Sequence, residues 1–234
     1  MAVAALFDID GTLIACQSGP LYIRHLRRSG HASLMDMVKA FVFLVQYRLG
    51  LLDIQRASAA SMGLVRGLKE ANILADCRRW YEREVREYLR PAMAATVEAH
   101  RKEGHIPVIL TSATRYLAEP IAEDLGIEHL LVTQLVVDNG VFTGEITAPV
   151  CYGDGKVHWA ERWAASHDVD LGRSYFYTDS ITDVPVLERV GEPRVVNPDP
   201  RLRREAARRG WPVFDFDQTT TAAAPLDRRA LCAG

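Results

Sequence analysis

No run in this 234-residue sequence is apolar for long enough to cross a bilayer. The most apolar stretch after the amino terminus, Ala40 to Tyr47, is closed by Lys39 and Arg48. A spanning helix needs about 20 apolar residues. The opening MAVAALFDID has no basic leader and meets two acids by position 10, so it does not read as a signal peptide. Charge of one sign is also missing. A formal net charge of −2 offers no footprint for nucleic acid or an anionic membrane surface. Cysteine is sparse and scattered: Cys16, Cys77, Cys151 and Cys232 form no CxxC pair and have no histidine cluster nearby. That argues against a disulfide framework or a zinc site and favours a reducing, cytoplasmic location. A soluble protein with a substantial core is expected, since 48% of its residues are hydrophobic.

What is present divides into two patterns. An apolar strand (Val3 to Phe7) comes first, and then residues 16–90 hold almost nothing that reads as a strand. Helices are expected over Leu21–Arg28, over Ser33–Leu49 with Gly50 as its stop, from an Asp53 cap to about Leu68, and over Ala75–Leu89. Pro91 then opens a helix that Gly104 closes. Beyond it, strands at Val108–Leu110, Leu130–Val132, Tyr175–Tyr177 and Val195–Val196 alternate with helices near 114–125, 156–167, 182–190 and 199–209. That alternation is the mark of an α/β fold with a doubly wound, Rossmann-like parallel sheet. Asp138-Asn139-Gly140 predicts a β-hairpin within Leu135–Val150. The expected division is therefore an α/β core (1–15 and 91–216), a helical cap (16–90) inserted after the first strand, and a flexible tail (217–234).

The residues suited to chemistry fall at the ends of these strands. The first strand runs into Asp8-Ile9-Asp10-Gly11-Thr12. Ligands of doubly wound sheets bind beyond the carboxyl ends of the strands, and two acids this close repel unless a cation or proton is shared. An isolated motif of this kind is also readable as a strand followed by an ordinary Asp-Gly turn. Later strand ends add Ser112, a plain helix cap or a phosphate ligand, and the acid pair Asp179 and Asp183. Lys156 stands in the first turn of a helix, where the dipole favours acids. Four carboxylates, a hydroxyl and a cation suit Mg²⁺ and a phosphate ester.

Order and spacing of these groups resemble the haloacid dehalogenase-like hydrolase superfamily, in the branch of phosphoserine phosphatase-like enzymes (subfamily IB). Asp8 to Thr12, Thr111-Ser112-Ala113, Gly155-Lys156 and Asp179 to Asp183 match its four motifs. The resemblance implies a Mg²⁺-dependent phosphomonoester hydrolase, with Asp8 as nucleophile, forming an aspartyl-phosphate, and Asp10 as proton carrier. It also implies a metal held by the Asp8 carboxylate, the Asp10 carbonyl and Asp179, with Asp183 beside it. Ser112 and Lys156 would bind phosphate.

In phosphoserine phosphatases a glutamate soon after the first motif binds the substrate's amino group. Here that place reads Cys16-Gln17-Ser18, and a neutral Gln17 holds an ammonium far less well than a carboxylate. A small phosphorylated metabolite is the expected partner, with phosphoserine, histidinol phosphate or a lipid-like phosphate as alternatives. The apolar stretch Phe41 to Leu52 would line a greasy pocket, pair with a neighbouring chain or pack within the cap. The protein would be a monomer or homodimer. A non-catalytic phosphate-binding module and a phosphotransferase are the competing readings; the paired acids disfavour the first, because a binder has no use for Asp10.

Overall fold

A computed structural model describes residues 1–28, 65–217 and 219–226. Strand β1 (Ala4–Phe7) is wholly buried, as a continuous apolar run demands, and it lies in the middle of a six-stranded sheet. The other strands are β2 (Ile106–Thr114), β3 (His129–Thr133), β6 (Tyr175–Thr178), β7 (Glu192–Val196) and β8 (Val213–Phe214), in the order β3-β2-β1-β6-β7-β8. β1 pairs in parallel with β2 on one side and β6 on the other, so Phe7 is level with both Ile109 and Tyr177. The chain thus reverses its winding at β1, and the residues leaving that strand emerge at the switch point of the sheet. The α/β doubly wound reading is the observed fold.

Helices α3 (Pro91–Lys102), α4 (Arg115–Leu125), α5 (Asp154–Ser166), α6 (Val184–Arg189) and α7 (Pro200–Arg209) accompany the sheet. Pro91 occupies the first turn of α3, where its missing N–H costs nothing. Asp199 caps α7 by accepting from Arg201 and Leu202 N–H, and Gly210 closes it in the left-handed conformation. One large apolar cluster joins Leu6, Val108, Phe176 and Val195 of the sheet to Trp163 of α5, Leu187 of α6 and Leu202 of α7. The sequence pattern missed β8, whose two residues are too few to show an alternation.

The chain forms two compact units. The first, carrying the sheet, draws on Met1–Cys16, Tyr88–Val132 and Cys151–Gly234. The second draws on Gln17–Glu87 and Thr133–Val150, so the hairpin of β4 (Leu135–Asp138) and β5 (Val141–Ile146) belongs with the helices and not with the sheet. Main-chain bonds explain this grouping. Gly67 N–H donates to the Phe142 carbonyl, Phe142 N–H to that of Leu68, and Glu70 N–H to that of Gly140. Such a pairing across 70 residues or more of sequence leaves no local signal.

The described helices of the second unit are α1 (Ser18–Arg28) and α2 (Glu70–Trp80), the latter widening into a π-helical turn over Tyr81–Val85 and tightening to a 3₁₀ turn over Arg86–Tyr88. Tyr22 of α1 packs edge-on against Trp80, and His25 lies between the carboxylates of Asp76 (3.2 Å) and Glu84 (3.3 Å). The expected helices over Ser33–Leu49 and from Asp53, and the apolar stretch Phe41 to Leu52, lie outside the described residues.

The segment that follows β8 is fastened at two described points as far as Leu226. Ala224 is buried, and its N–H donates to Thr96 Oγ1 at 2.8 Å. The Leu226 carbonyl accepts from the buried Arg194 at 2.9 Å. Composition alone suggested a loose segment, because alanines and threonines carry no pattern. Here the backbone, which has no sequence signature, does the fastening.

Candidate active site

Asp8 is the first residue past β1, and its N–H donates to the Tyr177 carbonyl at 2.9 Å, which carries the strand pairing one residue beyond the sheet. The chain then turns back on itself. Leu13 N–H reaches the Asp8 carbonyl, Ile14 N–H that of Ile9, and Gly11 N–H that of Cys16. Gly11 makes the turn at φ +72°, and a Cβ there would stand 2.1 Å from Asp179 Oδ2. Two facts therefore require glycine: the left-handed backbone and a carboxylate seated against its Cα. That second fact brings Asp179, one residue past β6, onto the loop that holds Asp8 and Asp10.

Lys156 is the third residue of α5, and its side chain is buried. Its ammonium donates to Asp8 Oδ1 at 3.1 Å and to Asp183 Oδ2 at 2.8 Å. Asp183 Oδ2 also accepts from Thr178 Oγ1 at 2.6 Å, whereas Asp183 Oδ1 is buried with no hydrogen-bond partner. Buried polar atoms are ordinarily satisfied, so an orphan carboxylate oxygen marks a place that expects a donor or a cation. Thr12 Oγ1 is a second such orphan on the loop after Asp10. Ser112 lies half-buried near the end of β2, within the residues that lead to α4. Gln17 is half-buried immediately before α1, in the second unit.

Charge is out of balance here. Burial pushes the Asp8 carboxyl up to about 7 against the pull of Lys156, and Asp183 and Asp10 push it the same way. Asp179 is raised well above the usual carboxylate range by burial, then by Asp8, Asp183 and Asp10. Four acids thus crowd together with Lys156 bonded directly to two of them, Asp8 and Asp183, and the excess negative charge calls for more positive charge. Among the described residues no three Asp, Glu, His or Cys side chains form a ready-made metal cage. Mg²⁺ does not require one, since it is held by one or two carboxylates and completes its shell with carbonyl, water and phosphate oxygens. The residues present fit such an ion.

Two groups at this site escaped the sequence reading. Thr178 stands just past the expected strand Tyr175–Tyr177 with no role assigned to it, yet its hydroxyl fixes Asp183. Arg90 reads as the residue before a helix, yet it is buried, and Asp179 is the charge that acts on it most strongly. Its position two residues after Tyr88 gives no local signal, because the partner lies far along the chain.

Residues 5–188 match the model of the haloacid dehalogenase-like hydrolases, and the chain belongs to that family. It is 36% identical over 230 residues to the inhibition of morphological differentiation protein of Streptomyces azureus, covering 91% of this chain and 78% of that protein. It is 31% identical over 222 residues to the histidinol-phosphatase of Neisseria meningitidis serogroup C, covering 91% of this chain and 98% of that one. A crystal structure of a protein of unknown function from Bordetella pertussis Tohama I superposes with a TM-score of 0.82 at 31% identity, covering 92% of this chain and 99% of that one. Phosphoserine phosphatases share the fold, with TM-scores of 0.67.

Among the described residues no helix is long and apolar enough to cross a membrane.

Proposed function

We propose that this hydrolase is a Mg²⁺-dependent phosphomonoesterase that works through an aspartyl-phosphate on Asp8. The observation that carries the reading is Lys156, a buried ammonium bonded at once to Asp8 and Asp183 at the carboxyl end of the central strand. An oxygen of Asp8 attacks phosphorus and the bond to the substrate's alkoxide oxygen breaks. Asp10 gives its proton to that oxygen, and then takes a proton from the water that hydrolyses the acyl phosphate. Lys156 and Ser112 hold phosphate oxygens, and Lys156 pulls Asp8 towards the ionised form that a nucleophile needs, against the burial that raises its pKa. The Asp8 carboxylate, the Asp10 carbonyl and Asp179 would hold Mg²⁺, which supplies the positive charge that phosphoryl transfer demands.

A small phosphorylated metabolite is the substrate class. Gln17 argues against phosphoserine, and the identity with a histidinol-phosphatase makes histidinol phosphate the first compound to try. The helical second unit takes the cap role, where substrate is chosen. Hydrolysis of p-nitrophenyl phosphate with Mg²⁺ should be abolished by EDTA and fall at least about 10³-fold in Asp8→Asn. Undiminished turnover in Asp8→Asn would remove the nucleophile. A monoester panel containing histidinol phosphate, phosphoserine and lysophosphatidate then ranks the substrates. Selectivity for phosphoserine would overturn the inference from Gln17.

A further inference from the structure

Thr178 ends β6 with its side chain wholly buried. Valine would fill the same space, suit a strand as well and carry no polar atom to desolvate, so the hydroxyl needs a reason of its own. Thr178 Oγ1 donates to Asp183 Oδ2 at 2.6 Å and accepts from Ser180 N–H at 3.2 Å, which fixes where its single proton points. The same carboxylate oxygen accepts from Lys156 at 2.8 Å, and Lys156 reaches Asp8 Oδ1 at 3.1 Å. Four buried side chains thus form one line of hydrogen bonds from the end of β6 to the end of β1. Asp183 Oδ2 has two donors, while Oδ1 is buried with none. The backbone that carries Asp183 is held without the Thr178 side chain: Ile181 N–H donates to Asp199 Oδ2 at 2.7 Å, and Asp183 N–H to the Ser180 carbonyl at 3.1 Å. What the hydroxyl adds is therefore the setting of the Asp183 carboxylate, not the path of the main chain.

We propose that Thr178 is a positioning residue of the acidic site: its hydroxyl sets the Asp183 carboxylate so that Oδ2 anchors Lys156 on Asp8 and Oδ1 is left available to the cation. This rests on the reading of Asp8 and Lys156 as the working groups of a phosphatase. Thr178 touches no reacting atom in this scheme; it acts through Asp183 and then Lys156. Without the hydroxyl, Asp183 keeps one of these two donors and can turn either oxygen to Lys156, so the ammonium loses its fixed anchor. Because the effect passes through one carboxylate, it should vanish once that carboxylate is removed, which a general contribution to folding would not do.

The test is a double-mutant cycle of Thr178→Val and Asp183→Ala, with Thr178→Ser as the conservative control. Turnover is measured as kcat/KM with p-nitrophenyl phosphate and Mg²⁺, and Mn²⁺ affinity by electron paramagnetic resonance. Thr178→Val should lower kcat/KM on the order of 10-fold in the native background, but by less than about 2-fold beside Asp183→Ala. It should also weaken Mn²⁺ binding several-fold, and Thr178→Ser should restore most of both. The same fractional loss in the two backgrounds overturns the proposal. So does native Mn²⁺ affinity in folded Thr178→Val, or a serine variant as impaired as the valine one. Should Thr178→Val not fold, Thr178→Ala takes its place under the same criteria. A native protein that binds Mn²⁺ but hydrolyses no monoester refutes the phosphatase reading. The cycle is then read on Mn²⁺ affinity alone, where an equal loss beside Asp183→Ala overturns the role given to Thr178.

Discussion

Two buried polar clusters occupy the same unit, and they are built on opposite principles. One is the acidic site at the end of β1. The other lies where α3 covers the sheet, around His100, Tyr177 and Arg194. In the second cluster His100 Nδ1 shares a hydrogen bond with His105 at 2.8 Å and Nε2 shares one with Tyr177 Oη at 2.8 Å. Burial lowers the His100 pKa to about 3, so the ring stays neutral. Arg194 is wholly buried, but it is paired with Glu192 at 2.9 Å, bonded to the Leu226 carbonyl and laid over the Tyr175 ring. Charges there cancel within the chain, although Arg194 Nε is left over. At the acidic site they do not cancel: Lys156 stands against four carboxylates. A balanced cluster can be explained by folding alone; an unbalanced one needs something the chain does not carry.

The comparison is most severely tested on the balanced side. Arg194→Met removes one member of the Arg194–Glu192 pair and frees the Leu226 carbonyl. Removing one member of a buried pair costs about 3–5 kcal/mol. Chemical denaturation should show a loss of that order, while kcat of the folded fraction stays native. A fall in kcat at unchanged stability would mean that the two clusters are not separable.

Gly11→Ala tests the other side and should show the reverse split. Its Cβ would collide with Asp179 Oδ2 and strain a backbone at φ +72°. Displacing Asp179 should reduce kcat about 100-fold, near 2.7 kcal/mol in the barrier, and stability should fall by about 1 kcal/mol. Monoester hydrolysis and a denaturation curve on the same preparation check both figures. Native kcat would show that the contact between Gly11 and Asp179 is incidental.

How much of this was legible in the sequence differs between the two clusters for a physical reason. Asp8, Lys156, Asp179 and Asp183 stand out because acids directly after apolar strands, and a lysine where a helix prefers an acid, contradict local preference. The structure brings them together, as such contradictions suggest. His100, Tyr177 and Arg194 contradict nothing locally: a histidine on an amphipathic helix and a tyrosine in a strand are ordinary. Their partners lie up to 77 positions away in sequence. Arg90 was missed on the same ground, as was the allegiance of the β4–β5 hairpin to the helical unit.

The smallest expected effect concerns pH, and its sign separates the clusters cleanly. Asp8 titrates near 7 in the folded chain, above its ordinary value of 3.8, and Asp179 is displaced in the same direction. A carboxyl with a raised folded-state pKa binds its proton more tightly when folded. Stability is therefore greatest while that proton is held and declines as pH rises from the unfolded value through the folded one. Metal-stripped protein should lose several degrees of Tm between about pH 5 and about pH 8. Mg²⁺ should restore Tm more at the upper pH than at the lower, because a cation offsets charge only once the carboxylates have ionised. His100 works in the opposite sense: its neutral form is the folded one, so it opposes stability only as pH falls below about 6.5, its ordinary value. Differential scanning calorimetry across that range, with and without Mg²⁺, reads both. In Asp8→Asn the metal-free decline should shrink, since one of the competing carboxylates is gone while Lys156 keeps Asp183. A decline of full size in that variant would place the excess charge somewhere other than the end of β1.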